Sequence, residues 1–197
     1  MNLANRLTVF RMILIPIIVL VELFPYSHFG IKIPYVVVDS VLLSWKNIAV
    51  LILFDTASIT DFLDGYLARS KDMITVFGKF LDPIADKLLV NTLFIIFAYK
   101  GTVSVVPVLI MIWRDTIVDG VRMLLSQKGM VLSAGYLGKV KTVAQMLSII
   151  LILLNNLPFE LYNIPVANIM LWFATLMSVV SGASYVIQSR SFLVESI

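Results

Sequence analysis

Long apolar segments alternate with shorter polar stretches along the chain. Six such segments can be recognised, at about residues 7–24, 45–66, 78–99, 103–125, 142–154 and 164–187. A helix that crosses the hydrocarbon core of a bilayer uses about 20 predominantly apolar residues. The pattern therefore predicts an all-α integral membrane protein with six transmembrane helices in a single domain over residues 1–197.

The first segment is more polar at its start than the others. Between Asn2 and Arg11, Asn, Arg and Thr alternate with Leu, Val and Phe. This mixture predicts an N-terminal interfacial segment that lies along the membrane surface. No small-x-small cleavage pattern follows the apolar run, so we expect a retained helix and not a secretory signal. A loop over 25–44 leads to the second segment.

Basic residues divide unevenly between the two sides of the predicted helices. Six spans put both termini on one side, which carries ten Lys and Arg against three on the other. The ten are Arg6, Arg11, Arg69, Lys71, Lys79, Arg122, Lys128, Lys139, Lys141 and Arg190, and the three are Lys32, Lys46 and Lys100. By the positive-inside rule, we expect both termini to be cytoplasmic, in a multi-pass membrane protein.

Composition excludes several classes of protein. Hydrophobic residues make up 60% of the chain and charged residues 14%, whereas soluble domains are ~25% charged. The absence of cysteine rules out thiol catalysis and disulfides, and the single His28 rules out a multi-histidine metal site within one chain. The net charge of +3 is typical of topology signals and anionic headgroups, so we expect a lipid bilayer and no nucleic acid as partner.

Four acidic residues stand close together at the ends of two apolar segments: Asp61, Asp64, Asp82 and Asp86. A charge at mid-bilayer costs ~2.5–3.5 kcal/mol, so four unpaired carboxylates would cost on the order of 10 kcal/mol. Asp61 and Asp64 are three residues apart, and Asp82 and Asp86 are four apart, so each pair lies on one helical face. The cluster therefore predicts a cation site or a water-filled cavity.

The chemistry of these ligands narrows the choice of metal ion. All-oxygen carboxylate sites favour Mg²⁺ or Mn²⁺ over soft metals. Two hard cations bridged by carboxylates suit group transfer at phosphorus. The structural alternative is that Lys87 or Arg69 neutralises a carboxylate, but two bases cannot balance four acids. Asp55 fits no pattern, and a paired or solvated role explains it equally well.

The spacing of fixed residues resembles a known signature. Asp61-x-x-Asp64-Gly65-x-x-Ala68-Arg69, followed eight residues later by Gly78-x-x-x-Asp82-x-x-x-Asp86, resembles the motif of the CDP-alcohol phosphatidyltransferases. The resemblance is greatest to the bacterial phosphatidylglycerolphosphate synthases within that family. It extends to Asn5-x-x-Thr8-x-x-Arg11 and to Gly138-Lys139-Val-Lys141-Thr142.

The resemblance implies a fold, a reaction and site residues. It implies a six-helix membrane enzyme, commonly a homodimer, whose active site faces the cytoplasm. The donor would be CDP-diacylglycerol, and its diphosphate would bridge two divalent ions held by the four aspartates. Asp86 would also act as the catalytic base. The resemblance further implies a nucleotide site formed by Asn5, Thr8, Asp64, Gly65, Ala68, Arg69 and Gly78.

The acceptor implied for the closest branch is glycerol 3-phosphate. A phosphate monoester needs basic side chains at the cytoplasmic interface, where arginine forks and lysine charges suit it. The candidates are Arg114, Arg122, Lys139 and Lys141. The alternative for the lysines is contact with lipid headgroups. Asp115 and Asp119 are flanked by Arg114 and Arg122, so an internal ion-pair network is an equally good explanation for these two acids.

Other functions remain open from the sequence. Within the same family, the acceptor could instead be inositol phosphate, serine or a phospholipid. A membrane prenyltransferase also uses aspartate clusters with Mg²⁺, and a cation transporter could use a carboxylate site. The fixed positions Gly65, Ala68, Arg69 and Gly78 have no role in a transporter.

Overall fold

The computed structural model describes residues 3–70, 76–127 and 135–194. Within these ranges it describes all side chains except those of residues 3–4, 62–70, 76–80, 82–83, 127 and 191–194. The described chain is mostly α-helical. Its helices are α1 (Leu3–Leu23), α2 (Trp45–Ser70), α3 (Val76–Tyr99), α4 (Val105–Gln127), α5 (Tyr136–Leu153) and α6 (Val166–Val194).

Each helix covers one of the predicted apolar segments. α2 begins at Trp45 and α3 ends at Tyr99, as the sequence predicts. α1 is continuous from Leu3, so the polar stretch predicted to lie along the interface belongs to the same helix as the apolar run. The mostly helical fold is thus confirmed.

A β-hairpin interrupts the segment predicted as a loop. β1 (Tyr35–Val38) pairs antiparallel with β2 (Val41–Ser44), and Val38 faces Val41 across the turn. Asp39 in the two-residue turn has a φ of 51°, which matches the left-handed conformation that tight hairpins require. The run of valines favours a strand because β-branched side chains fit a pleated surface. A short 3-10 helix, Phe159–Tyr162, lies between α5 and α6.

The helices pack into one bundle around an apolar core. α1 packs against α2 and α3, whereas α6 packs against α4 and α5. Ile18, Val50, Leu93, Ile149 and Leu171 are buried in the core at 0–1% exposure. Packing α1 on α2 and α3 places the N-terminal end of α1 beside the motif helices.

Large apolar side chains also cover the outside of the bundle. Leu20, Ile52, Ile117 and Leu176 are each more than half exposed. Exposed apolar side chains in such number are typical of a surface that contacts lipid. Two helices, Tyr136–Leu153 and Val166–Arg190, are long and apolar enough among the described residues to cross a membrane.

An ion cluster ties three helices together at the end opposite the motif. Glu22 on α1 is buried and pairs with Lys46 at 3.3 Å and with Lys100, which follows α3. Burial lowers the pKa of the Lys100 ammonium from its ordinary value. The cluster fixes the register of α1 against α2 and α3.

Candidate active site

Asp61 and Asp86 are the two motif carboxylates whose side chains are described. Asp61 lies on α2 and contacts Arg11 of α1, with 2.5 Å between Oδ1 and Nη1. Arg11 is fully buried, and Asn5 and Thr8 are buried on the same helix. A polar stripe of α1 therefore faces the motif helices.

The other motif positions lie on the same two helices. Asp64, Gly65, Ala68 and Arg69 belong to α2, and Gly78 and Asp82 belong to α3. The side chains of these six residues lie outside the described residues, so their roles stay predictions.

Asp86 joins the two parts of the site. Its carboxyl lies within electrostatic range of Asp61 and of three basic side chains, those of Arg11, Lys141 and Lys87. It also lines a small cavity of about 50 Å³ together with Asp115 and Lys141. The carboxylate oxygens of Asp61 and Asp86 are hard donors from two adjacent helices, which is the donor chemistry that Mg²⁺ and Mn²⁺ prefer.

A larger cavity of about 390 Å³ lies beside Asp86, between α3, α4, α5 and α6. The basic residues that line it are Lys87, Arg114, Arg122 and Lys141, and the acidic residues are Asp115 and Asp119. We call it the cationic cavity. Four positive and two negative side chains give it a formal charge of +2.

A buried ion network forms one wall of the cationic cavity. Lys141 donates to both oxygens of Asp115, at 2.5 and 2.6 Å, and Arg114 donates to Oδ1 of Asp115 at 2.9 Å. Both Asp115 and Lys141 are buried. A buried charge needs a partner with good geometry, so Asp115 holds the two cations in place.

Arg114 also reaches across to α6. Its Nε donates to the carbonyl of Ser178 at 3.0 Å, and Nη2 donates to Oγ of Ser181 at 2.8 Å. Together with Asp115, the contacts with described residues account for three of the five N–H groups of a guanidinium. The orientation of Arg114 is therefore set from two helices.

Two pairings in the structure differ from those that the sequence suggests. Lys87 pairs with Asp119 of α4 and not with a described motif carboxylate. Arg122 lies over the ring of Tyr185, 5.8 Å from its centroid, and is not paired with Asp119. The internal ion-pair network is thus what the described geometry supports for Asp115 and Asp119.

Lys139 and Lys141 differ in the structure although the sequence treats them alike. Lys141 is buried and lines the cationic cavity, whereas Lys139 is exposed and is not part of the wall. Helix geometry explains the difference, because residues two apart are about 160° apart around the helix axis and therefore lie on nearly opposite faces.

α6 contributes side chains that the sequence analysis missed. The side chains of Ser181, Ser184, Tyr185 and Gln188 line the cationic cavity, and the backbone carbonyl of Ser178 accepts from Arg114. The available signal was a stripe of small or polar residues, spaced three and four apart, on an otherwise apolar helix.

The buried hydroxyl of Tyr185 has no hydrogen-bond partner among the described residues. An unmet buried donor costs stability, whereas removing it leaves apolar packing intact. We therefore expect Tyr185→Phe to leave the free energy of unfolding unchanged or to raise it. The Arg122–ring contact survives in phenylalanine. Thermal unfolding of the purified protein in detergent checks this.

Tyr26→Phe is the matched control for that substitution. The Tyr26 hydroxyl donates to the carbonyl of Val21 at 3.1 Å. Losing a hydrogen bond that is made should cost ~0.5–1.5 kcal/mol. A Tyr185→Phe protein that is destabilised as much as Tyr26→Phe would show that the Tyr185 hydroxyl is already satisfied.

Comparison with known proteins decides the family. A sequence profile described as CDP-alcohol phosphatidyltransferase matches residues 1–180. The chain belongs to this family. Membership of the CDP-alcohol phosphatidyltransferases, together with the two apolar helices, indicates a membrane location.

Curated relatives within the family carry one enzyme name. A CDP-diacylglycerol–glycerol-3-phosphate 3-phosphatidyltransferase of Bacillus subtilis is 41% identical over 93% of both chains. A protein of the same name from Rickettsia bellii is 36% identical, again over 93% of both chains. Another from Escherichia coli is 34% identical over 75% of this chain and 74% of its own length.

Proposed function

We propose that this family member transfers the phosphatidyl group of CDP-diacylglycerol to glycerol 3-phosphate, giving phosphatidylglycerol phosphate and CMP. The relatives named for this reaction match nearly the whole chain. The observation that carries the choice of acceptor is the cationic cavity. Its formal charge of +2 balances a phosphate monoester, which carries about two negative charges near pH 7.

The donor would be bound at the aspartate end of the site. Asp61, Asp64, Asp82 and Asp86 would hold two ions, Mg²⁺ or Mn²⁺, which would polarise the donor diphosphate and neutralise the departing CMP. Asn5, Thr8, Gly65, Ala68, Arg69 and Gly78 would line the nucleotide. The support for this set is the motif spacing, the hard oxygen donors of Asp61 and Asp86, and the buried polar stripe of α1.

The acceptor would bind in the cationic cavity next to Asp86. Arg114, Lys141, Arg122 and Lys87 would surround its phosphate, and its free primary hydroxyl would face Asp86. Asp86 would accept the hydroxyl proton as that oxygen attacks the lipid-side phosphorus. The bond from this phosphorus to CMP breaks, so the phosphatidyl group moves to the acceptor.

The position of Asp86 supports this division of the site. Asp86 interacts with Asp61 at the aspartate end and lines a small cavity with Lys141 at the other. A base must lie within reach of both the reacting hydroxyl and the donor. Asp86 would meet both requirements in the proposed arrangement, with the donor bound at the aspartates and the acceptor in the cationic cavity.

The membrane arrangement follows from the charges. We propose that all six helices span the bilayer with both termini in the cytoplasm, and that the protein is a homodimer. The ten-to-three distribution of basic residues supports the orientation. The aspartates and the cationic cavity lie at the same end of the bundle as the two termini, so the site would face cytoplasmic glycerol 3-phosphate.

An acceptor panel tests the function. Purified protein with CDP-diacylglycerol should release CMP when glycerol 3-phosphate is added. This release should stop when EDTA removes divalent ions and should resume when Mg²⁺ or Mn²⁺ is added. Serine and inositol phosphate should support little release. Equal rates with inositol phosphate would mean that the cavity selects any phosphate monoester, and release only with serine or a phospholipid would overturn the acceptor.

A further inference from the structure

Gly182 of α6 lies directly against the side chain of Arg114. A Cβ atom placed on Gly182 would be 2.7 Å from Cγ and 3.0 Å from Nε of Arg114. Distances below 3.0 Å are sterically forbidden, and Cγ is close to the backbone of α4. An added methyl group would therefore force the whole Arg114 side chain to move.

Among the helical glycines whose surroundings the structure describes, Gly120, Gly138 and Gly182, this close approach occurs at Gly182. A Cβ atom on Gly120 of α4 or on Gly138 of α5 would meet no atom within 4 Å. Glycine lowers the stability of a helix relative to alanine. A glycine against a neighbouring helix needs a compensating role, and small residues let helices approach closely in membranes.

Arg114 depends on this approach for its contacts with α6. Its Nε and Nη2 donate to the carbonyl of Ser178 and to Oγ of Ser181. Ser178 and Ser181 lie four and one residues before Gly182, on the same face of α6. A shift of the side chain by a few tenths of an ångström weakens such bonds.

We propose that Gly182 is a positioning residue for acceptor binding, acting through Arg114. Its missing side chain leaves the space through which Arg114 crosses to α6, and so fixes the guanidinium against Asp115 at the wall of the cationic cavity. The inference rests on the proposed function for its activity readout. It concerns acceptor affinity and not the donor, because Gly182 and Arg114 belong to α6 and α4, which carry none of the four motif aspartates.

The test is Gly182→Ala, with KM measured for both substrates by CMP release. We expect the KM for glycerol 3-phosphate to rise about tenfold or more, as for loss of a charge-assisted contact. The KM for CDP-diacylglycerol should stay unchanged. Gly120→Ala is the matched control, since it makes the same chemical change in open space.

A double variant isolates the mechanism. Arg114→Ala removes the Cγ atom that Gly182→Ala would strike, so Gly182→Ala should have no additional effect in that background. If Gly182→Ala alone does not fold, the double variant should. An unchanged KM in Gly182→Ala, an equal effect with and without Arg114, or a double variant that fails to fold would each overturn the proposal.

The two proposals fail in different ways. A protein that releases no CMP with glycerol 3-phosphate overturns the function. In that case the rise in melting temperature with added inorganic phosphate reports the same cavity, and Gly182→Ala should reduce that rise whereas Gly120→Ala should not. A protein that is active with an unchanged Gly182→Ala KM overturns the positioning role alone.

Discussion

Asp86→Asn is expected to lower kcat by at least about 100-fold while the KM for CDP-diacylglycerol changes little. General-base catalysis contributes ~10²–10⁴-fold, and asparagine cannot accept the proton of the acceptor hydroxyl. Asn keeps the size and much of the polarity of Asp, so the protein should fold. CMP release at varied donor concentration measures both constants.

Two comparisons sharpen this experiment. Asp61→Asn, Asp64→Asn and Asp82→Asn should lose turnover together with donor binding at limiting Mg²⁺, because metal ions need anionic ligands. Asp55→Asn, six residues before Asp61 on α2, should retain activity. If Asp86→Asn weakens donor binding as strongly as Asp61→Asn does, Asp86 acts mainly as a metal ligand and the base is another group.

Asp86 lies close to both acidic and basic side chains. A carboxylate close to another carboxylate and to several cations is held between opposing fields. Lys87 and Lys141 of the cationic cavity, together with Arg11 of α1, offset the repulsion between Asp61 and Asp86, and the same two lysines would bind the acceptor phosphate. Removing a basic side chain of the cationic cavity should therefore weaken acceptor binding more than it affects the other steps of the reaction.

The helices could be predicted from the sequence because long apolar segments are easy to recognise. Runs of about 20 apolar residues leave few alternatives to a spanning helix. The hairpin around Asp39 was missed because four-residue strands carry little periodicity within a 20-residue connection. Its Tyr-Val-Val-Val run and the Asp-Ser turn were the available signals.

Candidate site residues can be recognised in the sequence where they form a motif. The four aspartates have fixed spacing on two helices, whereas Ser178, Ser181 and Tyr185 are common residues on an apolar helix. Their importance depends on Arg114 reaching from α4 to α6, a tertiary contact that sequence spacing within one helix does not encode. The separation of Lys139 from Lys141 likewise required the orientation of α5 against α4.

Lys141 and Asp115 form a buried ion pair. Lys141→Met should destabilise the protein by about 3 kcal/mol, at the low end of the ~3–5 kcal/mol for breaking a buried pair, because Arg114 still contacts Asp115. The KM for glycerol 3-phosphate should rise at least about tenfold, since the phosphate loses a charged donor. Thermal unfolding and CMP release measure the two effects.

A second substitution separates stability from binding. In the double variant Lys141→Met/Asp115→Asn no carboxylate remains at position 115, so most of the lost stability should return. The KM for glycerol 3-phosphate should stay high. Lys139→Met should change both little, because an exposed charge contributes ~0.2–1 kcal/mol. If acceptor affinity returns together with stability, Lys141 acts by holding the fold. If Lys139→Met and Lys141→Met raise KM equally, general surface charge attracts the acceptor and the cationic cavity is not its binding site.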